Sequence, residues 1–308
     1  SNKLAPVLIL AYNRPEHLKK TLASLKKNFL SERSKIIIHC DGYKNNEKKN
    51  VKEVRKIAKS ITGFKSKKVI FSKKNLGLKK SIIKNVSKYL KIYKKLIILE
   101  DDIITSKFFL RYMNQSLIYF KDKKKIWHIT GHSHFIINNG NDIFFSSYMN
   151  CWGWATWQDR WKHLDLDVKK AYISLKTNKS VKNKFDINNL SKFSNQIFDN
   201  YNKKINTWAI FWYWTIFKNK KLCIHPFRTL TKNIGQDGTG VHKDIKLKIY
   251  SPLKDKSNFN FNLRIKESRI FKKKLITFYM TENSTTIKII TKIYRVIYKF
   301  YNIFYVSR

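Results

Sequence analysis

Short apolar runs alternate with amphipathic stretches from Pro6 to Gly131. Val7-Leu8-Ile9-Leu10 is followed by Leu18, Leu22, Leu25 and Phe29 at helical spacing, and Ile36-Ile37-Ile38-His39-Cys40-Asp41 by Val51, Val54, Ile57 and Ile61 on one helical face. Val69-Ile70-Phe71 precedes Ile82, Ile83, Val86 and Leu90. Leu96-Ile97-Ile98-Leu99 precedes Phe108, Phe109, Tyr112 and Phe120, and Ile126-Trp127-His128-Ile129 closes the series. A strand that is apolar at every position is buried on both faces, and each helix stripe covers one of them. The repeated pair predicts the α/β class, a Rossmann-like, mostly parallel sheet flanked by helices.

Sheets of this kind bind ligands beyond the carboxyl ends of their strands. The polar residues at those ends are Tyr12-Asn13-Arg14, Asp41-Gly42, Asn75-Leu76-Gly77 and Glu100-Asp101-Asp102. Three adjacent carboxylates repel and raise one another's pKa, a cost that a divalent cation relieves. Hard oxygen ligands suit Mg²⁺ or Mn²⁺, usually shared with substrate phosphates. The competing reading makes Asp102 through Ser106 an N-terminal cap for a helix starting near Lys107.

The strings PVLILAYNRPEHLKKTLASL, Asp41-Gly42, NLGLKKSI at 75–82 and LIILEDDI at 96–103 resemble a glycosyltransferase of the GT-A fold. More narrowly, LEDDIITSKFFLRYM, CWGWATWQDRW at 151–161 and PFRTLTKNIGQDGTGVH at 226–242 resemble the N-acetylglucosaminyltransferase I type and similar bacterial sugar transferases. The resemblance implies that Ala11, Tyr12 and Arg14 meet the nucleotide and that Asp41 contacts its base. It also implies that Asn75, Gly77 and Lys80 line the nucleotide-sugar site, that Glu100 and Asp101 approach the ribose and uracil, and that Asp102 binds the metal. The glycine-rich loop Asn233–His242 would close over the diphosphate, with His242 near phosphate or metal. Trp152 and Trp154 flank a glycine that permits close ligand approach, and the similar enzymes place this loop beside donor sugar and acceptor. Trp154, Trp157 and Trp161 also fall at helical spacing, which reads as a core stripe for Trp157 and Trp161.

The chain departs from that family where the acceptor is activated. The family has a Trp-flanked acidic pair, whereas this chain reads Trp208-Ala209-Ile210-Phe211-Trp212, without a carboxylate. An inverting transfer needs a positioned base, so Asp159 and Asp237 become the candidates.

The formal net charge is +45, from 65 Lys and Arg against 20 Asp and Glu, and it is spread through nearly every segment. Such a field attracts polyanions, but without an RRM, KH or helix-turn-helix signature it does not point to specific nucleic-acid binding. Apolar residues at 43% exclude global disorder. Cys40, Cys151 and Cys223 suggest neither a disulfide framework nor a zinc site. No secretory signal and no apolar run of about 18 residues is visible, which leads us to expect a cytoplasmic protein. The segment 286–305 mixes Ile, Val, Tyr and Phe with Lys and Arg and no acid. It suits an interfacial helix on an anionic membrane surface, the inner face of the cytoplasmic membrane, or else a helix packed on the catalytic domain.

The expected organisation is a catalytic domain at 3–244, with a nucleotide-binding half at 3–131 and an acceptor-side half at 132–244, followed by a basic, partly helical extension at 245–308. The expected function is metal-dependent, inverting transfer of a hexosyl or N-acetylhexosaminyl group from a nucleotide-sugar, a UDP-sugar first. The acceptor would be a hydroxyl of a bacterial surface glycan (lipopolysaccharide, lipooligosaccharide or capsule) or a lipid-linked glycan. The alternatives are a sugar-phosphate nucleotidyltransferase, disfavoured because Ala11-Tyr12-Asn13-Arg14-Pro15 lacks glycine, and a non-enzymatic protein that binds nucleic acid or anionic surfaces.

Overall fold

Short apolar runs form the parallel part of the sheet, buried at its middle and only half-buried at its edge. In the computed structural model, which describes residues 3–44, 47–135, 140–235, 237 and 256–283, these are β1 (Val7–Ala11), β2 (Lys35–Cys40), β3 (Ser66–Phe71) and β4 (Lys95–Glu100). They pair in parallel in the order β3-β2-β1-β4. The crossovers are α1 (Pro15–Lys26), α2 (Lys48–Ser60) and α3 (Leu78–Tyr93). Strand side chains alternate between faces, so Val7, Ile9 and Ala11 enter one core with Leu18, Leu22 and Leu25 of α1 and Val54 and Ala58 of α2. Leu8 and Leu10 enter the other core with Ile82, Val86 and Leu90 of α3. Phe29 departs from the expected stripe: α1 stops at Lys26 and Phe29 is 59% exposed. Asn28 occupies the helix end instead, donating to Ser24 O and Thr105 Oγ1 and accepting from Leu110 N.

Beyond β4 come β5 (Ile103–Thr105), α4 (Phe109–Tyr119), β6 (Ile126–Thr130), β7 (Ile143–Ser146) and β8 (Trp154–Trp157). Then follow α5 (Gln158–Trp161), α6 (Val168–Thr177), α7 (Lys179–Phe185), α8 (Phe193–Tyr201), α9 (Ala209–Lys218), β9 (Leu222–Pro226), β10 (Thr231–Asn233) and α10 (Arg269–Asn283). The main sheet runs β3-β2-β1-β4-β8-β6-β9-β7, with β8 and β7 reversed against the other six strands. The fold is therefore α/β with a mostly parallel sheet, as the pattern predicts, and the 3–131 and 132–244 halves share that one sheet. β5 and β10 form a separate antiparallel pair.

The Trp stripe is buried as expected, but not on a helix. Trp154 through Trp157 is strand β8, and only one helical turn follows. Residues three apart on a strand face opposite ways, so Trp157 lies in the first core while Trp154 and Trp161 lie in the second. Helix α9 is buried along Ile210–Ile216, in keeping with a sequence apolar all round.

Part of the C-terminal extension belongs to the same body. Phe261 packs in the first core, 6.4 Å from the Tyr112 ring, and Phe271 and Leu275 of α10 pack with Phe144 and Tyr148. Among the described residues no helix is long and apolar enough to cross a membrane. The expected interfacial segment at 286–305 lies outside the described residues.

His128 of β6 is fully buried; it accepts the Trp212 indole N–H at Nδ1 (3.2 Å) and donates from Nε2 to Asn150 O (2.9 Å), which fixes a neutral ring. Burial drives its pKa down to about 3 and that of His225 down to about 4. In the unfolded chain both titrate near 6.5, so below that pH the unfolded state binds more protons than the folded one. Stability should therefore fall as pH drops from about 6.5 towards about 4, by up to about 1.4 kcal/mol per pH unit per histidine. Urea midpoints measured across that window check this, and a flat profile would show the rings to be charged in the fold.

Candidate active site at the carboxyl edge of the sheet

Chain direction brings the polar strand ends together. β1 exits into Tyr12-Asn13-Arg14, and Pro15 stands at the first position of α1. A residue before proline is pushed out of the helical region, and Arg14, at φ −116° and ψ 79°, obeys that restriction. Its side chain crosses to the exit of β4, where Nη2 lies 2.6 Å from Asp101 Oδ1 and 2.9 Å from Asp102 Oδ2. Asp101 also accepts the Tyr12 backbone N–H at 3.1 Å, and its carbonyl accepts Thr21 Oγ1 at 2.8 Å.

The three acids thus divide their charge between different partners. Burial, then the charges of Asp102 and Asp101, push Glu100 well above the usual carboxylate range, with Arg14 opposing. Burial works against the charge on Arg14, but Asp101 and Asp102 outweigh it and raise its pKa further. Asp102 is the member left with spare capacity, because its Oδ1 is buried and makes no hydrogen bond among the described residues. The helix-cap alternative does not hold: β5 follows Asp102, and α4 starts only at Phe109.

A strap closes over this cluster. β10 pairs with β5, Ile234 N donates to Asp102 O at 2.9 Å, and Asn233 Oδ1 accepts Gly235 N at 2.7 Å. A Cβ at Gly235 would stand 2.0 Å from Asp102 Oδ2 and 2.6 Å from Arg14 Nη1, so only glycine fits without displacing them. Two residues on, Asp237 Oδ2 meets His17 Nε2 of α1 at 2.9 Å. His242 lies outside the described residues.

Asp41 stands at the exit of β2, but it does not present an open carboxylate. Its oxygens accept the backbone N–H groups of Gly42, Leu76 and Gly77 at 2.9–3.1 Å, while Asn75 donates to Gly42 O and accepts from Gly77 N. Asp41 and Asn75 therefore lock the two loops against each other. Gly42 permits the approach: a Cβ there would lie 2.4 Å from the Lys74 carbonyl carbon. Gly77, at φ +71°, uses a backbone region that favours glycine as it starts α3. Lys80 is exposed, whereas its neighbour Lys79 lies 4.2 Å over the Phe211 ring. Tyr12 and Asn13 both engage Glu47, the latter at 2.7 Å. Glu47, Lys79 and His17 carry no sequence signal, since single charged residues on helix ends look alike in so basic a chain.

Ala11, Tyr12, Arg14, Asp41, Asn75, Gly77 and Glu100 through Asp102 all gather at this edge. Two of the other expected residues do not. Trp154 is fully buried, stacked 5.3 Å from both Trp208 and His128, and serves the core; its half-buried neighbour Trp152 is the indole that meets the His132 ring, at 4.5 Å. Asp159 lies at the opposite edge of the sheet. The antiparallel register Lys95↔Trp157 sets it beside the start of β4, about 17 Å from Glu100 at about 3.3 Å per residue. There it binds Lys124 at 2.8 Å and Arg160 at 2.6 Å in a basic cleft, so it cannot serve as a base for chemistry at Asp102.

The residues fit a cation shared with substrate. Among the described residues Asp102 offers a buried carboxylate oxygen with no hydrogen bond, and no group of three His, Cys, Asp or Glu could hold an ion by itself. Donor phosphates would have to complete the coordination. Cys151 borders the site, and burial, then the charge of Glu100, holds its thiol well above the ordinary value, so it is not a nucleophile.

No protein family matches the chain, and no curated protein does. Among solved structures it is similar to the mannosyltransferase PcManGT from Pyrobaculum calidifontis in complex with GDP-Man and Mn²⁺ (7% identity over 52% of this chain, TM-score 0.36), of which the match spans 46%, less than half. It is also similar to the galactosyltransferase LgtC in complex with donor and acceptor sugar analogs (10% identity, 68% of this chain and 70% of that one, TM-score 0.36). A third is apo mouse xyloside xylosyltransferase 1 (10% identity, 53% of this chain and 70% of that one, TM-score 0.33). Overlaps this slight assign no activity by themselves.

Proposed function

We propose that the chain is a glycosyltransferase of the GT-A type that moves a hexosyl or N-acetylhexosaminyl group from a nucleotide-sugar, a UDP-sugar first, to a hydroxyl of a surface glycan or lipid-linked glycan. The observation that carries this reading is the cluster at the exits of β1 and β4, where Arg14 spans Asp101 and Asp102 and Asp102 keeps one buried oxygen that no described residue engages.

Departure of a nucleoside diphosphate develops negative charge on its β-phosphate, and groups that meet that charge most strongly in the transition state accelerate transfer. Asp102 would hold Mn²⁺ or Mg²⁺, which when bound supplies positive charge at the phosphates. Arg14 adds a second fixed cation. The loops locked by Asp41 and Asn75 would shape the nucleoside side, and the Gly235 strap lies against Asp102 and Arg14. For an inverting transfer, Asp237 is the expected carboxylate that stands on the right edge to take the acceptor proton. The basic surface and the apolar and basic segment 286–305 suit a peripheral position on the inner face of an anionic membrane.

The test is a thermal-shift screen of UDP-, GDP- and CMP-sugars with Mn²⁺, followed by assay of nucleotide release. A ligand at about 100 times its Kd stabilises by about 2.7 kcal/mol, enough for a shift of several degrees. If no nucleotide-sugar shifts the transition and none is cleaved, the proposal fails.

A further inference from the structure

The cation reading of Asp102 meets an occupant already in place. Arg14 Nη2 lies 2.9 Å from Asp102 Oδ2 and 2.6 Å from Asp101 Oδ1, and the Gly235 backbone roofs this contact. The other oxygen, Asp102 Oδ1, is buried and makes no hydrogen bond among the described residues. Proline at position 15 and the Tyr12 N–H to Asp101 hold the Arg14 segment against β4, so the pairing is built into the β1 exit rather than made by a wandering surface side chain.

We infer that Arg14 is a tethered counter-cation of Asp102 that competes with a divalent ion for that carboxylate. The inference rests on Asp102 being the metal ligand, but not on the identity of the sugar donor. An ion at Asp102 sits next to a guanidinium that cannot shed its charge at any relevant pH. The exchange is therefore one cation for another and releases no proton. Asp101 retains Arg14 during the exchange, through the shorter of its two contacts. In the resting chain Arg14 neutralises the carboxylates, so the fold does not depend on metal. Free metal then binds weakly, and it binds well only when an anionic diphosphate can take up both cations.

Mn²⁺ binding to the full chain, measured by electron paramagnetic resonance without nucleotide, tests this. Arg14→Gln should bind Mn²⁺ about tenfold or more tightly than the parent, because the competing charge is gone, and Arg14→Lys, which keeps the charge on a shorter, more mobile head group, should fall between them. Asp102→Asn should abolish binding in either background. Melting supplies a second readout: EDTA should leave the parent transition unchanged but lower that of Arg14→Gln, with Mn²⁺ restoring it. Equal or weaker Mn²⁺ binding by both Arg14→Gln and Arg14→Lys, or no binding by any variant at millimolar Mn²⁺, would overturn the inference. Tightened binding in a chain that takes no nucleotide-sugar would uphold the exchange while removing the transferase reading.

Discussion

Asp102→Asn should lower kcat/KM for sugar transfer by roughly a thousandfold while leaving the melting temperature nearly unchanged. The size follows from the several kcal/mol that a metal contributes to a developing phosphate charge, at about 1.4 kcal/mol per factor of ten. The preserved fold follows from the contacts. Asp102 engages the strap through its backbone carbonyl, which the substitution keeps, and removing one acid from a crowded trio relieves repulsion. Asp101→Asn makes the contrasting control, because Asp101 binds both Arg14 and the Tyr12 N–H and its loss disturbs the β1 exit itself. Steady-state kinetics with matched melting curves decide the matter; near-parental turnover in Asp102→Asn would rule out its role as metal ligand.

Trp154→Ala is the second large effect, and it falls on stability. The indole is fully buried among Trp208, His128 and Trp161, and truncating a buried tryptophan costs about 3–5 kcal/mol. That is a large share of the roughly 5–15 kcal/mol that holds a domain folded. Trp154→Phe should recover much of the loss. Urea unfolding measures both, and a loss below about 1 kcal/mol in the alanine variant, accompanied by a raised KM, would return Trp154 to the ligand site.

The parallel half of the sheet was legible because each of its strands carries a short apolar run between helical stripes. Val7–Leu10, Ile36–Cys40 and Leu96–Leu99 need no long-range knowledge to be placed indoors. The mixed half was harder. Nothing local in Trp154–Trp157 states that β8 enters antiparallel between β4 and β6, and four indoles at mixed spacing satisfy a helical period and a strand equally well. The strand direction is set by pairing with β4, about sixty positions away, and it carried Asp159 to the wrong edge for catalysis.

The acidic cluster was readable as a cost, three neighbouring carboxylates, but its resolution was not. Arg14 is one of 65 basic residues, and only the crossing from β1 to β4 singles it out. Asp41 was visible as a polar strand end, yet its saturation by the Gly42, Leu76 and Gly77 amides depends on a loop that pairs with it across more than thirty residues. Spacing identifies such residues as neighbours of a site without telling whether they touch the ligand or hold the wall.

The reversed course of β8 has a consequence for how such a site can diversify. Because the strand runs backwards, the turn Ser147–Gly153 opens beside the exits of β1 and β4 although it is remote from them along the chain. Tyr148, Met149 and Asn150 are buried there and Asn150 O accepts from His128, so the half-buried Trp152 is the position of this wall that can change without disturbing the core. A substitution at Trp152 alone would reshape that wall and leave the exits of β1 and β4 as they stand.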